Sequence, residues 1–316
     1  MNLSLEMDIW QNIRKRKTLL IIEQSFTPFS IFAPIPFFCF LLFFISTKIT
    51  EISIDKIYIL FLGILISLFS SGASCFWNHT NDLEEDAKNN KKTLISENII
   101  SHNEAIKISF FLYFISILIA IYASNLLNRP IYVYFLIWAI ITWWYSDNIF
   151  LKKITGIRLK THYLGELLTY GVAYPAYTMS IWLIFSTSFM KGVVLSLIFL
   201  SFGIAVVLLK DLKDIKGDRE AGLKTFGVIF PPSKLIKISC RFLIIYFLLI
   251  IIATNFRIFN YNSFLIILPF LYLIKNTFIH FQCKNWIIEV GDFNNIKAMM
   301  ISVYSSIFIL GFVNFI

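Results

Sequence analysis

Nine long apolar runs leave this chain few folds to choose from. They lie at 26–46, 57–77, 106–124, 130–146, 163–186, 192–209, 238–254, 262–281 and 298–315. About 20 mostly apolar residues cross a bilayer as one helix. Lipid satisfies no open strand edge, so each run must be helical. Only 15% of the residues are charged, against about a quarter in soluble domains. So few charges cannot coat a chain this long, and lipid must cover much of it. The expected class is all-α, a polytopic membrane protein with nine transmembrane helices.

Lysine and arginine orient the runs. With the N-terminus inside, 23 of the 28 Lys and Arg residues fall on inside segments and 5 fall outside. The basic clusters run Arg14–Lys17, Lys88–Lys92, Lys152–Lys160 and Lys210–Arg241. This split accounts for the net charge of +9 through basic loops beside anionic lipid, and no nucleic-acid partner is expected. Glu23 interrupts the apolar run after Arg14–Lys17, so no cleavable signal is expected. Residues 1–25 are expected to form a cytoplasmic amphipathic segment and 26–316 a single membrane domain. Cys39, Cys75, Cys240 and Cys283 make no CxxC pair and read as small core residues. His79, His102, His162 and His280 are scattered, so no zinc set is expected. No glycine-rich nucleotide motif is present.

Two inside loops, near 78–105 and 210–237, hold the densest carboxylates. The first carries Asn78, Asp82 and Asp86 at i, i+4 and i+8; the second carries Asp211, Asp214 and Asp218 at i, i+3 and i+7. Each set lies on one helical face where an apolar run meets water. Like charges at that spacing repel, so a solvated charged loop would gain nothing from either pattern. Mg²⁺ suits them, because it takes carboxylate oxygens and fills its shell with water and phosphate. The loops follow the second and sixth runs, which suggests two four-helix halves plus a ninth helix.

These motifs resemble those of the UbiA superfamily of intramembrane prenyltransferases. The stretch from Asp211 to Val228 is similar to the family's second motif beyond its carboxylates, including Ala221-Gly222 and Thr225. Lys91-Lys92-Thr93-Leu94 stands where the family has a basic residue before proline, and the proline is missing here. Tyr145-Ser146 with Leu151-Lys152-Lys153 resembles the family's loop between spans four and five, and His162 to Glu166 resembles a Gly-Glu segment of naphthoate-type members. The resemblance implies nine helices around a lipid-open central cavity, with both motifs at its cytoplasmic mouth. It implies Asn78, Asp82, Asp86, Asp211, Asp214 and Asp218 as magnesium ligands, with Asp82, Asp86, Asp214 and Asp218 catalytic. A prenyl diphosphate would be the donor and a hydrophobic molecule the acceptor.

Ionising an allylic diphosphate releases a polyanion, which cationic side chains can stabilise. Lys91, Lys92, Lys152, Lys153 and Tyr145 are the candidates for that contact, beside Asn78. Glu166, expected at the inner end of the fifth run, is a candidate to orient or deprotonate the acceptor. A membrane terpene cyclase would need the same carboxylates and no acceptor. A transporter would place its carboxylates inside broken spans near the midplane, and these lie at helix ends.

Overall fold

Side-chain caps mark where several helices begin. Ser53 accepts from the Lys56 amide at 3.3 Å. Ser101 and Glu104 exchange bonds as a capping box, which satisfies two amides that the first turn leaves without partners. The computed structural model describes residues 16–23, 35–89 and 91–316. They form α1 (16–23), α2 (Ile35–Ser46), α3 (Ile54–Asn81), α4 (Leu83–Lys88), α5 (His102–Leu127), α6 (Ile131–Ser146) and α7 (Leu151–Thr155). Then come α8 (Tyr163–Phe185), α9 (Phe189–Lys210), α10 (Ile215–Glu220), α11 (Phe226–Ile229) and α12 (Pro232–Asn255). The last are α13 (Ile267–Leu273), α14 (His280–Cys283) and α15 (Phe293–Phe315). A 3-10 turn at Tyr261–Ile266 and a π-helical turn at Ile274–Ile279 join α13 and α14 into one helical stretch. No strand occurs among the described residues, and one isolated parallel bridge pairs His162 with Lys224.

Six helical stretches are long and apolar enough to cross a membrane: α3, α5, α9, α12, Tyr261–Cys283 and α15. They match six of the nine expected runs. The other three differ for stated reasons. The first run is described only as α2, and residues 24–34 lie outside the described set. The fourth is α6, apolar but 16 residues long. The fifth is α8, which has 23 residues but carries Glu166, Thr169 and four tyrosines, and it falls below the apolar average of the six. Most of the expected amphipathic segment at 1–25 also lies outside the described residues.

The long helices pack as a closed ring. Neighbours run α2, α3, α5, α6, α8, α9, α12, α13, α15 and back to α2. Polar side chains also tie helices that are not adjacent in this order, α3 to α8 through Ser70–Tyr177 at 3.0 Å and α12 to α15 through Tyr246–Ser306 at 2.9 Å. At one end, cations cap helix C-termini. Arg129 donates to the Leu183 and Ile184 carbonyls, and Lys191 donates to Ile45 O at 3.2 Å. At the other end, α3, α6 and α9 each lead into a loop that carries short helices, and these loops touch.

Candidate active site

The acidic motifs sit where α3 and α9 end. Asn78 lies in the last turn of α3, and Asp82 caps it and starts α4. The Asp86 amide bonds Asp82 O at 2.8 Å, so the helical spacing survives the break. Asp211 caps α9, and Asp214 starts α10, which carries Asp218. The helices α4 and α10 then dock. The Gly217 amide donates to Asn89 Oδ1 at 3.2 Å, and Lys88 Nζ donates to Glu220 O at 3.0 Å.

That docking depends on a residue without a side chain. A Cβ at Gly217 would collide with the Asn89 carboxamide. We expect Gly217→Ala to lower stability by about 1–3 kcal/mol, the usual cost of overpacking. With Asn89→Ala added, the sign should reverse, because alanine is the better helix former. Thermal midpoints in detergent for the single and double variants check this.

The motif carboxylates are out of bulk water, and each has a basic partner close by. Asp82 is 0% exposed and accepts from both Arg158 and Lys160. Arg158 also donates to Glu85 at 2.6 Å and to Ser146 O at 2.9 Å. Asp86 pairs with His79 at 2.9 Å. Lys91 stands between the motifs, 3.5 Å from Asp86 and 3.3 Å from Asp214. Burial opposes the Lys91 charge, but Asp214 and Asp86 hold its pKa above the ordinary value. Burial also works against the Asp86 charge, and the His79 bond and nearby cations outweigh it, so its pKa falls. Burial pushes the Asp218 carboxyl up, against the Lys160 charge and a 3.0 Å bond from Thr225.

Asp211 differs in its second oxygen. One oxygen lies 3.5 Å from Lys210, and the other is buried with no hydrogen-bond partner. A buried carboxylate oxygen without a partner is costly, and it fits a site made for a cation. Among the described residues, no three carboxylate, histidine or cysteine side chains converge on one point. The cause is visible in the pairing, because lysine and arginine occupy the space between the carboxylates.

The remaining sequence candidates divide. Asn78 accepts from Ser146 at 2.7 Å beside Asp82. Tyr145 donates to Glu166 at 3.2 Å and accepts from Lys210 at 2.9 Å. Lys92 is 87% exposed and lies 3.9 Å from Glu97. Lys152 donates to Asn148 and lines, with Glu84, Glu85 and Arg158, a cavity of about 480 Å³. Lys153 is exposed. Of the expected basic residues Lys91 reaches the motifs, and Arg158, Lys160 and Lys210 join it there. Arg158 and Lys160 come from the loop before α8, held by the bond from the Lys224 amide to Thr161 O at 2.9 Å. Gly165 permits this, since a Cβ there would meet the Leu159 carbonyl.

The model of the UbiA prenyltransferase family matches residues 35–285. The chain belongs to the UbiA prenyltransferase family. It is therefore an integral membrane protein, with six helices fit to span. An uncharacterised protein of Archaeoglobus fulgidus is 30% identical over 292 residues, covering 90% of this chain and 94% of its own. Solved UbiA-type structures share the fold. A structure of digeranylgeranylglyceryl phosphate synthase superposes with a TM-score of 0.67 at 16% identity, covering 96% of this chain and 99% of that one. A UbiA homologue of Archaeoglobus fulgidus bound to GPP and Mg²⁺ gives 0.58 at 18% identity, covering 90% and 99%. The same homologue bound to DMAPP and Mg²⁺ gives 0.59, covering 90% and 97%.

Proposed function

We propose that this UbiA-family chain is a magnesium-dependent transferase. It moves an isoprenyl group from a prenyl diphosphate to a hydrophobic acceptor, either aromatic and quinone-precursor-like or lipid, and releases diphosphate. The observation that carries this is the docking of α4 on α10, which brings Asp86 and the α10 cap Asp214 to the shared ammonium of Lys91. Positive charge is favoured at that point, and the orphaned Asp211 oxygen supports the same reading. Asn78, Asp82, Asp86, Asp211, Asp214 and Asp218 would hold the metal. Bound Mg²⁺ would neutralise charge developing on the leaving diphosphate.

The chain's own cations act beside that site. Lys91 stands between both motifs, Lys160 pairs with Asp82 and acts on Asp218, and Arg158 pairs with the first motif; each can turn charge-assisted bonds onto phosphate oxygens. Tyr145, Tyr170 and Tyr174 form an aromatic run, with ring centroids at 6.2 and 5.7 Å. Such faces stabilise an allylic cation by about 0.5–2 kcal/mol each. In this reading α2, α6 and α8 complete nine spans around a lipid-open cavity. The motif end faces the cytoplasm, in line with the lysine and arginine bias.

The test uses purified protein with Mg²⁺, prenyl diphosphates of several lengths and an acceptor panel. Diphosphate release and a prenylated acceptor, both abolished by chelation, are expected. A cyclised hydrocarbon formed without acceptor would favour the cyclase, and absence of diphosphate release would sink both.

A further inference from the structure

Helix α12 starts at the motif end of the molecule with no acidic residue in its first turn. Lys234, Lys237 and Arg241 stand on it at i, i+3 and i+7, which stacks them along one stripe. Lys234 and Arg241 are exposed, and Lys237 is half-buried. Lys234 Nζ lies 4.3 Å from the centroid of the Phe230 ring, just before α12. Lys237 Nζ lies 5.8 Å from the centroid of the Trp286 ring, in the loop after α14. The acids of that loop are already taken, because Lys284 pairs with both Glu289 and Asp292, and His280 with Asp292. Among the described residues, none of the three stripe cations pairs with a carboxylate.

The stripe continues beyond the charges. Ile245, Leu248 and Ile252 follow on the same face and are 43%, 42% and 51% exposed. Helix α12 is long and apolar enough to span, so this stretch of the face meets lipid. From Lys234 to Arg241 the stripe runs about 10 Å along the helix axis. The headgroup zone is roughly 5–8 Å deep on each side of a bilayer. The long stems of lysine and arginine reach back to that depth from a turn further in. Cations in the first turns of a helix are opposed by its dipole, and they repel one another at this spacing. An anion held among them reverses both effects.

We propose that this stripe binds one anionic phospholipid of the leaflet on the motif side. Its phosphate sits among Lys234, Lys237 and Arg241, and an acyl chain lies along Ile245, Leu248 and Ile252. Charge complementarity selects the headgroup, since a choline ammonium would face three cations. The apolar continuation selects a lipid over free phosphate. Arginine adds a planar fork that matches phosphate oxygens. The proposal does not depend on the prenyl-transfer reading, because it concerns the outer face of α12 and not the motif carboxylates.

The test titrates purified protein in neutral detergent with phosphatidylglycerol, phosphatidylcholine or inorganic phosphate. Native mass spectrometry counts bound lipid, and the thermal midpoint reports binding to the folded state. The wild-type protein should hold one phosphatidylglycerol at least tenfold more tightly than phosphatidylcholine, with a rise in midpoint. Inorganic phosphate should give no such rise. With Lys234→Gln, Lys237→Gln and Arg241→Gln combined, phosphatidylglycerol affinity should fall at least tenfold. A control combining Lys107→Gln, Lys275→Gln and Lys297→Gln removes the same charge from exposed positions outside the stripe and should keep affinity within threefold. Arg241→Gln alone should lose at least threefold, which keeps the test in force if the triple variant does not fold. The proposal is overturned if the wild-type protein does not distinguish the two lipids, or if phosphate alone raises the midpoint as much. It is overturned equally if the two triple variants lose affinity alike, or if Arg241→Gln keeps the wild-type affinity.

Discussion

Magnesium-dependent diphosphate release is expected to fall at least a hundredfold in Asp214→Asn, while the protein still inserts and keeps its thermal midpoint. Asp214 is the informative position because its structural duties are few. Its side chain keeps 14% exposure, and Lys91 is its ion-pair partner at 3.3 Å. Asparagine fills the same volume and can still accept from Lys91. What it removes is one negative charge between the two motifs. If a metal and a diphosphate meet there, the variant loses a ligand and part of the charge balance. A hundredfold loss corresponds to about 2.7 kcal/mol of transition-state stabilisation, in line with losing one well-placed electrostatic partner. Asp82→Asn should lose activity too, but for mixed reasons, since Arg158 and Lys160 would share a neutral partner. Steady-state release with a titration of Mg²⁺ separates the cases. An Asp214→Asn protein with release within threefold of the wild type would rule out a metal-holding role for that carboxylate.

The difference between these aspartates was not legible in the sequence, although the motifs were. Periodicity placed each carboxylate set on one helical face, but α4 carries only Asp86 and α10 only Asp218, while Asn78 lies in the last turn of α3, Asp82 caps it, and Asp211 and Asp214 lie in the turn between α9 and α10. It also located six of the spanning stretches, because hydropathy over some 20 residues is a property of the run itself. The expected run 163–186 is helical as α8, but Glu166, Thr169 and four tyrosines lower its average hydropathy, so length and composition alone do not mark it as a span. Periodicity was silent on which cations serve the site. Lys91 and Lys92 are neighbours in sequence, yet one bridges the motifs and the other is exposed. Arg158 and Lys160 lie in a short 3-10 turn whose direction is set by the pairing of Tyr163 N with Lys224 O at 2.8 Å. That contact joins segments 61 residues apart, and no local pattern encodes it. The one available signal was the i, i+2 pair of basic residues just ahead of a glycine-containing helix start.

Arg158 is therefore the residue whose loss should cost the most stability. It is 3% exposed and spends its guanidinium on the Ser146 carbonyl, Glu85 and Asp82. Arg158→Met keeps the bulk and removes the charge. Glu85 would then be a buried carboxylate without its cation, and Asp82 would keep Lys160 alone. Breaking a buried pair in this way costs about 3–5 kcal/mol, most of it the uncompensated charge left behind. The thermal midpoint in detergent should drop by roughly 5–15 °C. The sign of the coupling identifies the cause. Adding Glu85→Gln to Arg158→Met should recover part of the loss, because the stranded charge is gone, whereas two independent packing defects would simply add. Glu85→Gln alone should be milder, since Arg158 keeps Asp82 and the Ser146 carbonyl. A midpoint for Arg158→Met within 2 °C of the wild type, or strictly additive losses in the double variant, would show that this guanidinium does not hold α4 to the loop before α8.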